Sequence, residues 1–244
     1  MSGTTPTIEP TTPELPDELV DLAPEPVVRP QPPEGMFTSL ADQLATIRGW
    51  NEELDWGFTA EDFDAIDLTP ARHDDPLVVD LIAIYLPGDE ELDGVRRTAE
   101  ELWAIVAEQQ PNAWCWDMPK RSNKPVRLLR RLEHRPGLRR VTLDLGAHWN
   151  SAIGFRPIEV RGPDSAHAEV LAAAALFPGW IRAIDGLAVP HVVLSGYQIG
   201  IPIREAWRHV PCLAWNERYH RINLTDHWAD QPQRRFASPV IIQP

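Results

Sequence analysis

The sequence predicts an α/β fold, with a mixed α+β arrangement as the variant, and three stretches carry that expectation. Leu77 to Leu86 is a nearly unbroken apolar, β-branched run ended by Pro87-Gly88, the mark of a central strand covered on both faces. A helical pattern follows it, then a second short strand at Trp114 to Asp117. Val141 to Ile199 repeats the order as strand, loop, helix, strand, and the chain is organised around it. A single domain over residues 36–244, built on a mixed sheet with helices packed on it, accommodates all three.

Residues 1–35 form an arm in front of that domain. Pro6, Pro10, Pro13, Pro16, Pro24, Pro26, Pro30, Pro32 and Pro33 fix φ and remove donors, which excludes helix and paired strand over most of it. The arm is expected to have polyproline II character and to stay unfolded when alone. Leu15, Leu19, Val20, Leu22, Val27 and Val28 could pin it to another surface. A partner subunit is the simplest cover, because the arm cannot bury enough of itself to offset its ordering entropy.

Phe37 to Leu54 reads as a helix capped by Thr38 or Ser39, with Leu40, Leu44, Ile47 and Trp50 as its apolar stripe. Glu61 to Ile66 reads as a short helical turn, with Thr59 and Asp62 spaced as a capping box. Asp89-Glu90-Glu91 opens a helix that runs to Gln110 and stops at Pro111. Val126 to Leu132 is ambiguous, and Leu128, Leu129 and Leu132 favour a helical turn. Val141 to Leu145 has strand alternation; Asp164-Ser165 is placed to cap a helix starting at Ala166, with Val170, Leu171, Ala174 and Phe177 on one face. Pro178-Gly179 interrupts that helix, and Trp180 to Ile184 gives one more turn. Val192 to Leu194 is a buried strand, Arg204 to Trp207 a short helix, Tyr219 to Thr225 a strand, and Pro239 to Ile242 an edge strand.

Length and composition bound the function. About 200 residues beyond the arm can bury roughly 70% of the unfolded chain's surface. The net charge is −13, but residues 1–118 hold 26 acidic against 5 basic residues, and residues 119–140 hold 9 basic against 1 acidic. Such a chain is not a general polyanion binder, although its one basic segment could touch an anion. Cys115 and Cys212 sit in apolar surroundings and read as buried thiols. The first residues lack the pattern of a signal peptide, and no stretch is apolar enough to cross a bilayer. A cytoplasmic protein, or one incorporated into a particle assembled there, is expected, with no membrane contact.

Three constellations could carry chemistry. Asp144, His148, His167, Glu169 and His191 lie near predicted strand ends and a helix start, where a His beside a carboxylate could do acid–base work. Their spacing matches no metal signature, and capping or surface roles explain them as well. His220 and His227, among Arg218, Arg221 and Asp226 and between Trp215 and Trp228, could line a pocket; alternatively they belong to a strand whose outward face carries Tyr219, Arg221 and Asn223 or their neighbours. Lys120, Arg121, Lys124, Arg130 and Arg131 form the basic segment, with Trp114 and Trp116 upstream. They could bind single-stranded nucleic acid, or the acidic arm of the same or a neighbouring subunit. Trp149, Trp207 and Trp228 fall in polar surroundings, where exposure would mark a binding surface. Nucleophile-elbow, phosphate-loop, dinucleotide and zinc signatures are lacking, so no cofactor or metal is expected.

The expected function is therefore a non-catalytic component of a larger assembly, such as a virion or other multi-subunit particle. Its partner, a different protein or a second copy, is engaged through residues 1–35. A hydrolase or transferase working near Asp144, His148 and His167 is one alternative. A nucleic-acid-associated protein using residues 119–140 is the other.

Overall fold

The computed structural model describes residues 31–88, 91–110, 112–115, 126–128, 136–149, 154–160, 162, 164–201 and 206–243. Their helices, one antiparallel sheet and one mixed sheet make an α/β fold. Helix α1 (Leu40–Leu54) starts where Ser39, in extended conformation, accepts a hydrogen bond from the Asp42 N–H. It buries Leu40, Leu44 and Ile47 and ends at Asp55 in the left-handed region (φ 51°). Helix α2 (Ala60–Asp64) carries the full reciprocal box between Thr59 and Asp62 and buries Phe63.

Strand β1 (Val78–Tyr85) is one of three in an antiparallel sheet; the others are β4 (Gly137–Asp144) and β10 (Val240–Gln243), in the order β1-β4-β10. The expectation of a central β1 is thus corrected: β4 is central, and β1 is apolar because helices cover it. Helices α1, α3 (Glu91–Gln109) and α4 (Ala168–Leu176) all pack against it. Its free margin is closed by side chains instead of a strand. The Gln43 amide donates to the Asp80 carbonyl (3.0 Å) and accepts from the Ile82 N–H (2.9 Å), and the Thr98 hydroxyl accepts from the Leu86 N–H (2.9 Å). An unpaired strand edge is both costly when buried and prone to pair with another chain. Replacing Gln43 by alanine leaves two buried β1 groups without partners. It is expected to lower the unfolding free energy by about 2 kcal/mol; a urea titration that shows no change would contradict this role.

The second sheet has the path β2-β8-β7-β5-β9, with β6 also paired to β7 and β3 paired to β6. These strands are β2 (Trp114–Cys115), β3 (Val126–Leu128), β5 (His191–Val193), β6 (Tyr197–Ile201), β7 (Ala206–Asn216), β8 (Arg221–Trp228) and β9 (Phe236–Ala237). The pairs β2/β8 and β5/β9 are parallel and the others antiparallel, so the sheet is mixed. Both strand–helix–strand units pass from one sheet to the other: β1–α3–β2, and β4–α4–α5–β5, where α5 is Pro178–Ala183.

Several local expectations yield to pairing. Residues 126–128 form a strand against β6, not a helical turn. From Ala206 the chain is strand, not helix, because Ala206 and Trp207 pair with Ile201 and Gly200 of β6 and the strand continues along β8 from His209. Asp164-Ser165 does not cap α4. Ser165 bridges to Val240, the Ala166 N–H donates to the Pro239 carbonyl, and the Ile241 N–H donates to the Asp164 carbonyl. Helix α4 begins later, with His167 at its N-cap, and all nine of its residues are buried, so it has no polar face. Trp149 is buried, not a surface residue.

One main core joins both sheets and all five helices, with Trp56, Trp180 and Phe177 the largest fully buried side chains. A smaller cluster, including Phe155, Val193, Val210, Cys212 and Phe236, covers the far face of the second sheet. The entry into the fold is fixed on α5. Met36 is buried, Phe37 meets Phe177 edge-on at 5.1 Å, and a Cβ at Gly179 would lie 3.1 Å from the Met36 carbonyl oxygen. Among the described residues, no helix is long and apolar enough to cross a membrane.

Candidate functional site

The residues suited to acid–base chemistry fall into separate places. Asp144 ends β4 and accepts from the Gly146 N–H (2.8 Å). Burial raises its pKa, aided by the neighbouring Asp75 carboxylate. His148 lies in the next turn, exposed and left-handed (φ 60°). His167 and Glu169 meet at the start of α4: the Glu169 Oε2 accepts from His167 Nδ1 and from its backbone N–H, each at 2.9 Å. The Tyr85 hydroxyl donates to the other oxygen, Oε1. His167 and Glu169 are 4% and 0% exposed, so this Tyr–Glu–His chain is interior.

His191 belongs to the second sheet. Its Nδ1 accepts from the Trp215 N–H (3.1 Å), and its ring lies tilted with its centroid 5.0 Å from that of Phe236. Burial, helped by the Arg235 charge, pushes its pKa down to about 4. The structure therefore joins His167 to Glu169 and leaves His191 in a different sheet. Among the described residues, no three His, Cys, Asp or Glu side chains are grouped to hold a metal.

The second constellation also divides. His220 sits in the β7–β8 turn with φ 48°, while His227 lies near the far end of β8. Seven residue steps along the strand separate them, about 23 Å. His227 pairs with Gln233 (3.3 Å) and faces Phe236 edge-on at 5.1 Å, and burial lowers its pKa. The Asp226 carboxylate binds His209 Nδ1 (2.8 Å), whose ring lies 4.3 Å from Trp228. His209 had no signal in the sequence, because only the β7–β8 register brings it beside Asp226. Tyr219 precedes β8 and is exposed, whereas Asn223 is buried rather than outward.

The opening with the clearest recognition chemistry lies at the other end of that hairpin. A cleft of ≈ 350 Å³ is formed where the end of α3, helix α5 and the β7–β8 turn meet. Gln110, Asn112, Ala113, Ile181, Arg182, Trp215, His220, Arg221 and Ile222 line it, and none of these is a carboxylate. Arg221 is held between two rings, 5.1 Å from Trp114 and 4.9 Å from Tyr219, and its Nε donates to Asn223 Oδ1 (3.1 Å). Arg218 continues the stack 5.4 Å from Tyr219, and Trp215 faces His220 edge-on at 6.5 Å.

Four arginines elsewhere are ion-paired: Arg48 with Asp64, Arg140 with Asp67 and Asp80, Arg156 with Glu159, and Arg235 with Glu217. Among the described residues, none forms an ion pair with Arg182, His220 or Arg221. An arginine fork stacked on an aromatic ring is oriented in advance for a carboxylate or phosphate, and the aromatic faces suit proline rings or planar groups.

Lys120, Arg121, Lys124, Arg130 and Arg131 lie outside the described residues. Strand β2, whose Trp114 packs on Arg221, enters that basic segment five residues before Lys120. Cys212 is buried, which raises its thiol pKa, and Cys115 is half-buried; the two are not joined in a disulfide.

No protein-family model matches the chain, and neither a curated protein nor a solved structure matches it.

Proposed function

We propose that the protein is an interaction component of a larger assembly, and that the cleft between α3, α5 and the β7–β8 turn receives an acidic segment of a protein partner. One observation carries this reading: in a chain of net charge −13, Arg182, His220 and Arg221 gather on one opening with Trp215, and none of the described residues that line it is a carboxylate. Two guanidinium groups without an ion pair among the described residues, beside a Trp ring, favour a ligand that brings carboxylates and apolar surface together.

A nucleic acid fits less well. A long polyanion extends past a cleft of ≈ 350 Å³ on a chain of net charge −13, whereas a short acidic peptide needs only the opening itself. A hydrolase or transferase centred on His167 is disfavoured by the burial of that ring and by the engagement of both Glu169 oxygens.

The test is fluorescence anisotropy of a labelled eight-residue Glu-Pro repeat titrated with the full-length protein at low salt. Arg182→Gln and Arg221→Gln are each expected to weaken binding about tenfold, the scale of one lost charge-assisted hydrogen bond. Raising the salt weakens the wild type as well. Unaltered binding by the double variant would remove the cleft from the account. Tighter binding of an oligo-dT of similar length would point to nucleic acid instead.

A further inference from the structure

We propose that the acidic segment seated in this cleft, when no partner supplies one, is the chain's own N-terminal arm, folded back in cis. The inference rests on the cleft being a receptor for acidic peptides, and adds which peptide occupies it at rest.

Charge complementarity is the first support. Residues 1–30 contain Glu9, Glu14, Asp17, Glu18, Asp21 and Glu25 against a single cation, Arg29. Five of these carboxylates fall between Glu14 and Glu25, flanked by Pro13, Pro16, Pro24 and Pro26. Proline-rich peptides bind aromatic grooves at a low ordering cost, because their backbone has few conformations to lose. The cleft supplies the matching set: Arg182, His220 and Arg221 for the carboxylates, Trp215 for an apolar or proline contact.

The second support is where residues 35 and 36 are anchored. Gly35 and Met36 rest on Gly179 of α5, so close that a Cβ there would sit 3.1 Å from the Met36 oxygen and 3.3 Å from the Gly35 oxygen. Arg182 is three residues further along the same helix, hence a surface neighbour of Gly179. The arm is therefore tethered one helical turn from the cation it would meet. Glu25 lies ten residues before Gly35, a span of up to about 33 Å when extended, so the acidic stretch reaches the cleft with chain to spare.

A tether of this length sets an effective concentration on the order of millimolar. At micromolar protein, an arm in cis outcompetes the arm of a second copy. An external acidic partner must then displace the arm, and its apparent affinity falls by the fraction of clefts already filled.

The experiment compares three full-length forms, using the same labelled Glu-Pro peptide at low salt. The first is wild type. The second carries Glu14→Gln, Asp17→Asn, Glu18→Gln, Asp21→Asn and Glu25→Gln. The third is a control that removes the same charge from exposed body positions: Glu52→Gln, Glu53→Gln, Glu61→Gln, Asp74→Asn and Asp230→Asn. The arm variant is expected to bind at least tenfold more tightly than wild type, and the gain is expected to vanish when Arg182→Gln and Arg221→Gln are added. Static light scattering of the wild type is expected to show one copy per particle at the concentration used.

Equal affinity of wild type and arm variant would overturn the inference while leaving the cleft a peptide receptor. An equal gain in the body control would overturn it too, as an effect of overall charge. Concentration-dependent oligomers that disperse in the arm variant would move the arm to a second copy and overturn the cis contact. Failure of all three forms to bind would remove the cleft reading itself.

Discussion

Replacing Glu169 by alanine is expected to lower the unfolding free energy by about 3–5 kcal/mol, the range for breaking a buried charged network by removing one partner. The carboxylate is fully buried and accepts from the Tyr85 hydroxyl, His167 Nδ1 and the His167 N–H. It ties three elements together: the end of β1, the N-cap of α4 and α4 itself. Alanine leaves all three donors among apolar neighbours and opens a void where α4 packs on β1. Glutamine, with a carbonyl oxygen still able to accept, is expected to recover a large part of the loss. Urea denaturation of the three proteins decides the matter; an alanine variant within about 1 kcal/mol of wild type would show that the network is incidental to the fold.

Acidification from neutral pH is expected to cost the fold about 3 kcal/mol through His191 alone, since each tenfold difference in proton affinity between folded and unfolded states is worth about 1.4 kcal/mol. The folded protein holds this imidazole at a pKa of about 4, against 6.5 when unfolded. The fold therefore prefers the neutral ring, and the unfolded chain takes up the proton first as pH drops. The stability involved is fully present above pH 6.5 and is lost between 6.5 and about 4.

The cause is local. The ring is buried against Phe236, its Nδ1 is an acceptor for the Trp215 N–H, and only a residue without a Cβ at position 186 lets Nε2 approach so closely, to 2.7 Å of where that Cβ would stand. His227, also lowered by burial, adds loss in the same direction. Asp144 opposes it, since a raised carboxyl pKa favours the fold below that value and loses its contribution as pH rises. Asp80 is held low by the Ala71 N–H and Arg140 despite its burial, and its contribution disappears only at more acid pH. His191→Asn keeps an acceptor for Trp215 and removes the titration. Its stability at pH 7.5 and at pH 4.5 is expected to differ by about 2–3 kcal/mol less than that of wild type. The same pH dependence in both proteins would contradict this assignment.

Local signals in the sequence were sufficient where local physics decides. Thr59 with Asp62 marks the start of α2 because a cap is made by residues three apart; for α1 the sequence offers Thr38 or Ser39 with a start at Phe37, and Ser39 caps a helix that begins at Leu40. The apolar run at β1 is equally plain, but its place at the sheet margin is not. That depends on Gln43, 37 positions away from its carbonyl partner Asp80. Asp164-Ser165 has the composition of a helix cap and serves as a rung beside β10 instead, a choice made by Pro239 and Val240 near the other end of the chain.

The cleft is the extreme case. Trp215, His220 and Arg221 belong to a segment whose mixture of rings and cations suggests a pocket. Gln110 and Arg182 complete it from two distant helices and carry no signal of their own. The pairing of His209 with Asp226 is invisible until the β7–β8 register is known. Periodicity and capping are readable over a few residues, whereas strand partners and clefts are settled by contacts between remote segments.

Binding of the labelled Glu-Pro peptide to full-length protein, with and without Arg182→Gln and Arg221→Gln, bears most directly on the claim that this cleft is an interaction site. A salt-sensitive interaction in the wild type, weakened at least tenfold in the double variant, is the outcome expected of two stacked or unpaired guanidinium groups meeting carboxylates. Affinity indifferent to both arginines, measured on variants that unfold at the same urea concentration as wild type, would contradict it.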